Sequence, residues 1–185
     1  MKKLMIALAA VAMAAGVQAA NYSWKCAVDG VYLPGQDEVY YSGSAYLIDN
    51  KTTSQAALLA AFAGDDFNIA SYAIASATLD GEDGFGKTTF TYDGEAGGTY
   101  WNGYMAVIDG DNIFISGLTN DIQAPSDLSE TPIAIKDPSG ASSAAAKMAA
   151  DGFQGAGWYQ TVPEPTSGLL LLLGVAGLAL RRRRA

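Results

Sequence analysis

Carboxylates are the side chains of this sequence that could most readily do chemistry. The chain holds 19 Asp and Glu residues against 11 Lys and Arg, and it has no His. Without imidazole, Ser-His-Asp and Cys-His catalysis and ordinary zinc sites are excluded. Two carboxylates about 5–9.5 Å apart could instead hydrolyse a glycosidic bond. The candidate groups are Asp65/Asp66, Asp80/Glu82/Asp83 and Asp93/Glu95, and they follow from the abundance of acids alone.

Three loops rich in acids and glycine could bind calcium, because hard oxygen ligands suit that ion. They are residues 64–66, 80–84 and 109–112. The EF-hand spacing is not met, since the fifth position is Ile113 after Asp109 and Gly84 after Asp80. Turns built from Asp and Gly are common in β proteins. We therefore predict neither a metal site nor a cofactor.

Aromatic side chains could form a sugar-binding platform, because the C–H faces of sugar rings stack on Trp and Tyr. The candidate glycan contacts are Tyr100, Trp101, Tyr104 and Trp158. Neighbouring residues of a strand point to opposite faces. One member of each pair, Tyr100-Trp101 and Trp158-Tyr159, could therefore face solvent. Packing of these rings in the core is the competing interpretation.

The region between the two termini is strongly acidic. Residues 20–162 contain five Lys against 18 Asp and Glu, a net charge of −13. Such a surface argues against nucleic acid and anionic lipid as partners. It is compatible with cations or neutral glycans. The single cysteine, Cys26, cannot form a disulfide within the chain, and burial as a small apolar residue is expected for it.

β-Strands are the elements that must position most of these residues. Residues 99–108 and 113–118 flank Asp109-Gly110, which predicts a β-hairpin. Asp29-Gly30 predicts a second hairpin in the same way. Further strands are predicted at residues 38–41, 43–49, 87–92, 131–136 and 157–162.

One helix is clear from the pattern. Residues 52–55 fit a capping box, and residues 56–62 follow with Leu58, Leu59 and Phe62 on one stripe. Residues 67–79 fit either a second short helix or a strand, and the alanine-rich residues 141–150 predict a helical turn or two. Without a βαβ rhythm, the predicted fold is mainly β: an antiparallel β-sandwich or roll with one or two short inserted helices.

Both termini carry membrane-related patterns. Residues 1–19 combine a basic start, an apolar stretch and small residues, which predicts a secretory signal peptide cleaved after Ala19. Residues 167–180 form an apolar stretch that as a helix would reach about 21 Å, less than the roughly 30 Å of a hydrocarbon core. Its leucines are Leu169, Leu170, Leu171, Leu172, Leu173, Leu178 and Leu180. A cytoplasmic C-terminus is predicted by the cations that follow, Arg181, Arg182, Arg183 and Arg184.

The order of Pro163-Glu164-Pro165, a short apolar helix and terminal arginines resembles the PEP-CTERM sorting signal of exported bacterial proteins. The same tail is also catalogued as the ice-binding protein C-terminal domain. Ice binding itself is not predicted, because only Thr89 and Thr91 recur on one strand face. The resemblance implies that an exosortase, a membrane-embedded cysteine peptidase, cleaves at the Pro-Glu-Pro site. It also implies a transient stay in the inner membrane.

Three regions are predicted: a signal peptide at residues 1–19, a β-rich extracytoplasmic domain at 20–161 and the sorting signal at 162–185. Signal peptidase and an exosortase are the expected processing partners. The favoured hypothesis is a non-enzymatic protein of the cell surface or extracellular matrix. A carbohydrate-binding module for exopolysaccharide or host glycan is the first alternative, and an acidic glycoside hydrolase is the second.

Overall fold

The computed structural model describes residues 20–25, 31–36, 39–64, 66–80, 86–95, 97–125, 130–135 and 144–161. The predicted signal peptide, Cys26 and the sorting signal lie outside the described residues. Within the described ranges, no helix has both the length and the apolar composition that a membrane crossing requires.

Ten strands and one α-helix make up the described fold. The strands are β1 (Ala20–Lys25), β2 (Ser42–Asp49), β3 (Ala75–Asp80), β4 (Lys87–Tyr92), β5 (Tyr100–Asp109), β6 (Asn112–Ile115), β7 (Thr119–Gln123), β8 (Glu130–Ala134), β9 (Lys147–Met148) and β10 (Gly157–Gln160). The α-helix is α1 (Gln55–Phe62), and two 3-10 helices span Ile69–Ser71 and Ala149–Asp151.

The strands form a small and a large sheet. The small sheet has the order β4-β1-β8, with β1 antiparallel to β4 and parallel to β8. The large sheet has the order β3-β2-β5-β6-β10-β9, and β7 pairs with β5 beyond the end of β6. All pairs of the large sheet are antiparallel except that of β10 with β9. The mainly β, antiparallel prediction is confirmed.

Two hydrophobic cores cover the two faces of the large sheet. The inner core joins the small sheet, through residues such as Trp24 and Ile133, to large-sheet residues such as Leu47. The outer core joins α1 to the opposite face, where Ile48 and Tyr104 lie. Consecutive strand residues point to opposite faces, so Leu47 and Ile48 enter different cores. The large sheet is therefore buried on both sides over much of its area.

Helix α1 forms at the predicted place in the chain, but its N-cap is not Thr52, the first residue of the predicted capping box. Ser54 is the N-cap, and its side-chain oxygen accepts a hydrogen bond from the Ala57 amide at 3.2 Å. Leu58, Leu59 and Phe62 are buried against the large sheet. Burial of this face, rather than the propensity of eight residues, stabilises so short a helix.

The predicted hairpin around Asp109-Gly110 is confirmed, with Asp109 opposite Asn112 and Gly110 at a φ of 56°. The second hairpin, predicted around Asp29-Gly30, falls on residues 26–30, which lie outside the described part of the chain. Among the described residues, β1 pairs with β4 and β8, and Tyr32 pairs with Tyr40.

Two segments of uncertain type are resolved by the fold. Residues 67–79 contain both alternatives, a 3-10 helix at Ile69–Ser71 and then β3. Of the alanine-rich residues 141–150, those described contribute β9 and the start of the 3-10 helix Ala149–Asp151. That helix ends at Gly152, which has a φ of 76°.

Candidate functional site

The four aromatic candidates for glycan contact do not form a common platform. Trp101, Tyr104 and Trp158 are buried, whereas 59% of Tyr100 is exposed. The prediction of a sugar contact is wrong for the three buried rings. The physical reason is that both faces of the large sheet are covered, so Trp158 enters the inner core and its neighbour Tyr159 enters the outer core.

Each buried ring has a structural hydrogen bond. The Trp158 indole N–H donates to the Tyr32 carbonyl at 2.8 Å, and the Trp101 indole N–H donates to the Tyr22 hydroxyl at 3.3 Å. The Tyr104 hydroxyl donates to the Thr53 carbonyl at 2.9 Å, and burial raises the pKa of Tyr104 well above its usual value. The bonds of Trp158 and Tyr104 tie strands to residues outside the strands, the Trp101–Tyr22 bond joins β5 to β1, and all three leave the polar ring atoms satisfied.

Tyr100 has polar neighbours on an open part of the large sheet. Asn102 lies two residues along β5 and so shares its face, and Gln123 lies opposite Tyr100 in the register with β7. Asp121 adopts a φ of 57°, and its amide donates to the Asn102 side-chain oxygen at 3.1 Å. An exposed ring beside amide groups can stack on a sugar while the amides bind its hydroxyls.

The buried carboxylate of Asp49 organises the end of β2. One oxygen accepts from the Tyr92 hydroxyl at 2.6 Å, and the other accepts from the Lys51 amide at 2.9 Å. The Thr52 hydroxyl adds a contact at 3.4 Å to the oxygen that Tyr92 binds. Burial and the hydrogen bond to Asp49 raise the pKa of Tyr92. Asp49 therefore joins the large sheet to β4 of the small sheet.

Glu95, from the predicted pair Asp93/Glu95, forms a salt bridge with Lys51 at 2.7 Å. The hydrogen bond and the charge of Glu95 raise the pKa of Lys51, so the ammonium stays protonated. A carboxylate held by a cation in this way serves as a structural link. Of the other predicted carboxylates, Asp65, Glu82 and Asp83 lie outside the described residues.

The described part of the chain contains no group of three or more His, Cys, Asp or Glu side chains arranged to hold a metal ion. The loop at residues 109–112 is a tight hairpin turn, in which the Asn112 amide group donates to the Asp109 carbonyl at 3.3 Å. Residues 65 and 81–84 of the other two acidic loops lie outside the described ranges.

A shallow groove of about 470 Å³ lies at the small sheet, and sequence reasoning missed it. Its lining residues are Asn21, Tyr22, Thr89, Phe90, Thr91 and Glu130. Thr91 of β4 and Glu130 of β8 both pair with Asn21 of β1. The alternation of Thr89 and Thr91 was the available signal, but the sequence does not show which strands lie beside β4.

The C-terminal residues decide where the chain is sorted. Residues 161–184 match the family model for the PEP-CTERM protein-sorting motif. The tail is a PEP-CTERM sorting motif. An exosortase is therefore the processing partner that this motif implies, and the protein is targeted for export through the membrane to the cell surface. Neither a curated protein nor a solved structure matches the chain.

Proposed function

We propose that this chain is a non-enzymatic protein of the cell surface or extracellular matrix. In this proposal, signal peptidase cleaves after Ala19 and an exosortase cleaves at Pro163-Glu164-Pro165. The single observation that carries the proposal is the match of residues 161–184 to the PEP-CTERM protein-sorting motif. Those residues address the protein to the envelope, and the β-rich domain is what is delivered there.

The packing of the acidic side chains favours a structural role for the domain. Asp49 accepts hydrogen bonds from Tyr92 and the Lys51 amide, and Glu95 binds the Lys51 ammonium. A general acid or nucleophile of a glycosidase must be open to its substrate, whereas Asp49 and Glu95 are buried in contacts that hold loops to strands. The hydrolase hypothesis has no comparable support.

Processing at the tail has a physical rationale. Two prolines disfavour helix at residues 163–165, which would leave the site open to a peptidase. As a helix, the apolar stretch would be short for a permanent anchor, and the arginines behind it resist translocation. A transient membrane intermediate with its C-terminus in the cytoplasm follows from this order.

The test is the intact mass of the protein recovered from medium and envelope, in a host with and without its exosortase. We expect a mass that lacks residues 1–19 and the tail in the first host, and retention of the tail in the second. Glu164→Ala should block the second cleavage, while the neighbouring change Thr166→Ala serves as the matched control. Recovery of the uncleaved chain from the cytosol would overturn the proposal.

A glycan-binding module is the second candidate, and the exposure of Tyr100 beside Asn102 and Gln123 favours it. Co-sedimentation with the exopolysaccharide of the host would test it. Tyr100→Ala should lower the bound fraction several-fold, since stacking on one ring contributes about 1 kcal/mol or more. Met148→Ala, at another exposed apolar residue, should leave it unchanged. Equal binding by both variants and the parent would exclude Tyr100 as the contact.

A further inference from the structure

Tyr32 and Tyr40 form a pair of phenols in close contact. Their ring centroids are 4.6 Å apart with an interplanar angle of 21°, so the rings are stacked. The Tyr32 hydroxyl donates a hydrogen bond to the Tyr40 hydroxyl at 3.1 Å. The hydroxyl groups are therefore closer to each other than the ring centres are. From this geometry we infer that the pair is a site of oxidative cross-linking, in which the two rings join as dityrosine.

The backbone around the pair explains why the rings are so close. The Leu33 amide donates to the Val39 carbonyl at 2.8 Å, and the Tyr41 amide donates to the Val31 carbonyl at 2.6 Å. Tyr32 and Tyr40 lie opposite each other between these two bonds. They form a non-hydrogen-bonded antiparallel pair, the type in which facing side chains approach most closely.

Contacts with the large sheet hold the paired segments around Tyr32 and Tyr40 in place. The Tyr32 carbonyl accepts from the Trp158 indole, and the Tyr41 hydroxyl donates to the Ile108 carbonyl at 2.9 Å. Val31 and Tyr41 are themselves buried in the inner core. The two phenols are therefore positioned before any oxidation, which raises the rate of their coupling over that of diffusing tyrosines.

The coupling is a two-electron oxidation with hydrogen peroxide as the oxidant, delivered by a haem peroxidase. Each phenol loses one electron and one proton and becomes a phenoxyl radical with spin on the carbons next to the oxygen. The two radicals form one carbon–carbon bond, and each ring then moves the hydrogen of that carbon to its oxygen. Hydrogen peroxide takes up the two electrons and two protons and becomes two molecules of water. The protein loses two hydrogen atoms in all.

Tyr32 and Tyr40 are half-buried, so part of each residue is open to a peroxidase while the rings stay stacked. Export through the membrane brings the domain out of the reducing cytosol. The coupling needs the folded domain and the added oxidant but not the sorting signal, so it can be tested apart from sorting.

The experiment treats the dilute full-length protein with a haem peroxidase and hydrogen peroxide. Trypsin releases residues 26–51 as one peptide, because Lys25 and Lys51 flank it. A protease that cleaves after Glu38 then separates residue 32 from residue 40 unless a cross-link joins them. We expect the two halves to stay joined, with the mass of two hydrogens missing, while the protein remains monomeric on a denaturing gel.

Three variants and one condition make the outcome decisive. Tyr32→Phe and Tyr40→Phe keep the stacked rings but lack one phenol, so the halves should separate in both. Tyr100→Phe removes the exposed phenol of β5 and should leave the cross-link intact. Denaturant should lower the yield of the cross-link in the parent protein at least several-fold. Near-ultraviolet circular dichroism checks that each variant is folded. Separable halves in the treated parent, a link that survives Tyr40→Phe, or products between molecules alone would overturn the inference.

Discussion

At the residue scale, Asp49 is the buried polar residue whose hydrogen bonds fix the end of β2. Tyr92→Phe removes one of its hydrogen bonds inside the protein. We expect a loss of about 1.5–3 kcal/mol in the free energy of unfolding, the range for a hydrogen bond to a charged group. Denaturant titration measures it. Tyr100→Phe, at an exposed ring, is the control and should change the free energy by less than about 0.5 kcal/mol.

Because buried tyrosines have raised pKa values, we expect the free energy of unfolding to fall at alkaline pH. Burial raises the pKa of Tyr104, and burial together with the bond to Asp49 raises that of Tyr92. Because the folded pKa exceeds the unfolded value, the folded state binds more protons in alkali. This stabilisation is complete below about pH 10 and is lost as the pH rises towards the raised values.

Denaturant titrations at neutral pH and above about pH 10 check this expectation. The free energy of unfolding should fall on the alkaline side, and Tyr104→Phe should make that fall less steep. A free energy that stays constant across both conditions would contradict the assignment of these phenols to the folded interior.

At the element scale, α1 depends on the face that it buries. Leu59→Ala should lower the free energy of unfolding by about 2–5 kcal/mol, because it leaves a cavity against the large sheet. Ala60→Gln, at the next and exposed position, should change it by less than about 0.5 kcal/mol. Thermal denaturation followed by circular dichroism measures both. Equal effects would mean that the helix does not pack through Leu59.

The elements that sequence reasoning predicted correctly are those with local causes. Helix α1 follows from its apolar stripe, although its N-cap is Ser54 rather than Thr52 of the predicted capping box, and the β5–β6 hairpin follows from Asp109-Gly110. The pairing of β1 with β4 and β8 has no local cause, since the partners lie tens of residues away along the chain. Burial of Trp158 and Tyr159 was likewise hidden, because a strand covered on both faces has no polar side to mark it.

At the scale of the whole molecule, the two cores share one sheet and should unfold together. All three tryptophans, Trp24, Trp101 and Trp158, lie in the inner core, so tryptophan fluorescence reports that core alone. Leu59→Ala lies in the outer core. We expect it to shift the fluorescence and circular dichroism transitions by the same amount, as two-state unfolding requires. Separate midpoints would show that the α1 layer unfolds independently.

The position of β10 determines how a force applied at the C-terminal end of the domain would be transmitted. This strand lies between β6 and β9, and the Thr161 amide, two residues before Pro163, donates to the Asp111 carbonyl at 3.0 Å. A cell-envelope attachment made at residue 163 would sit within about 10 Å of the sheet, at roughly 3.4 Å per residue. A force on that attachment would act on a strand that pairs over four residues with β6 and over two with β9. Shear in the envelope would therefore reach the sheet through a linker of only a few residues.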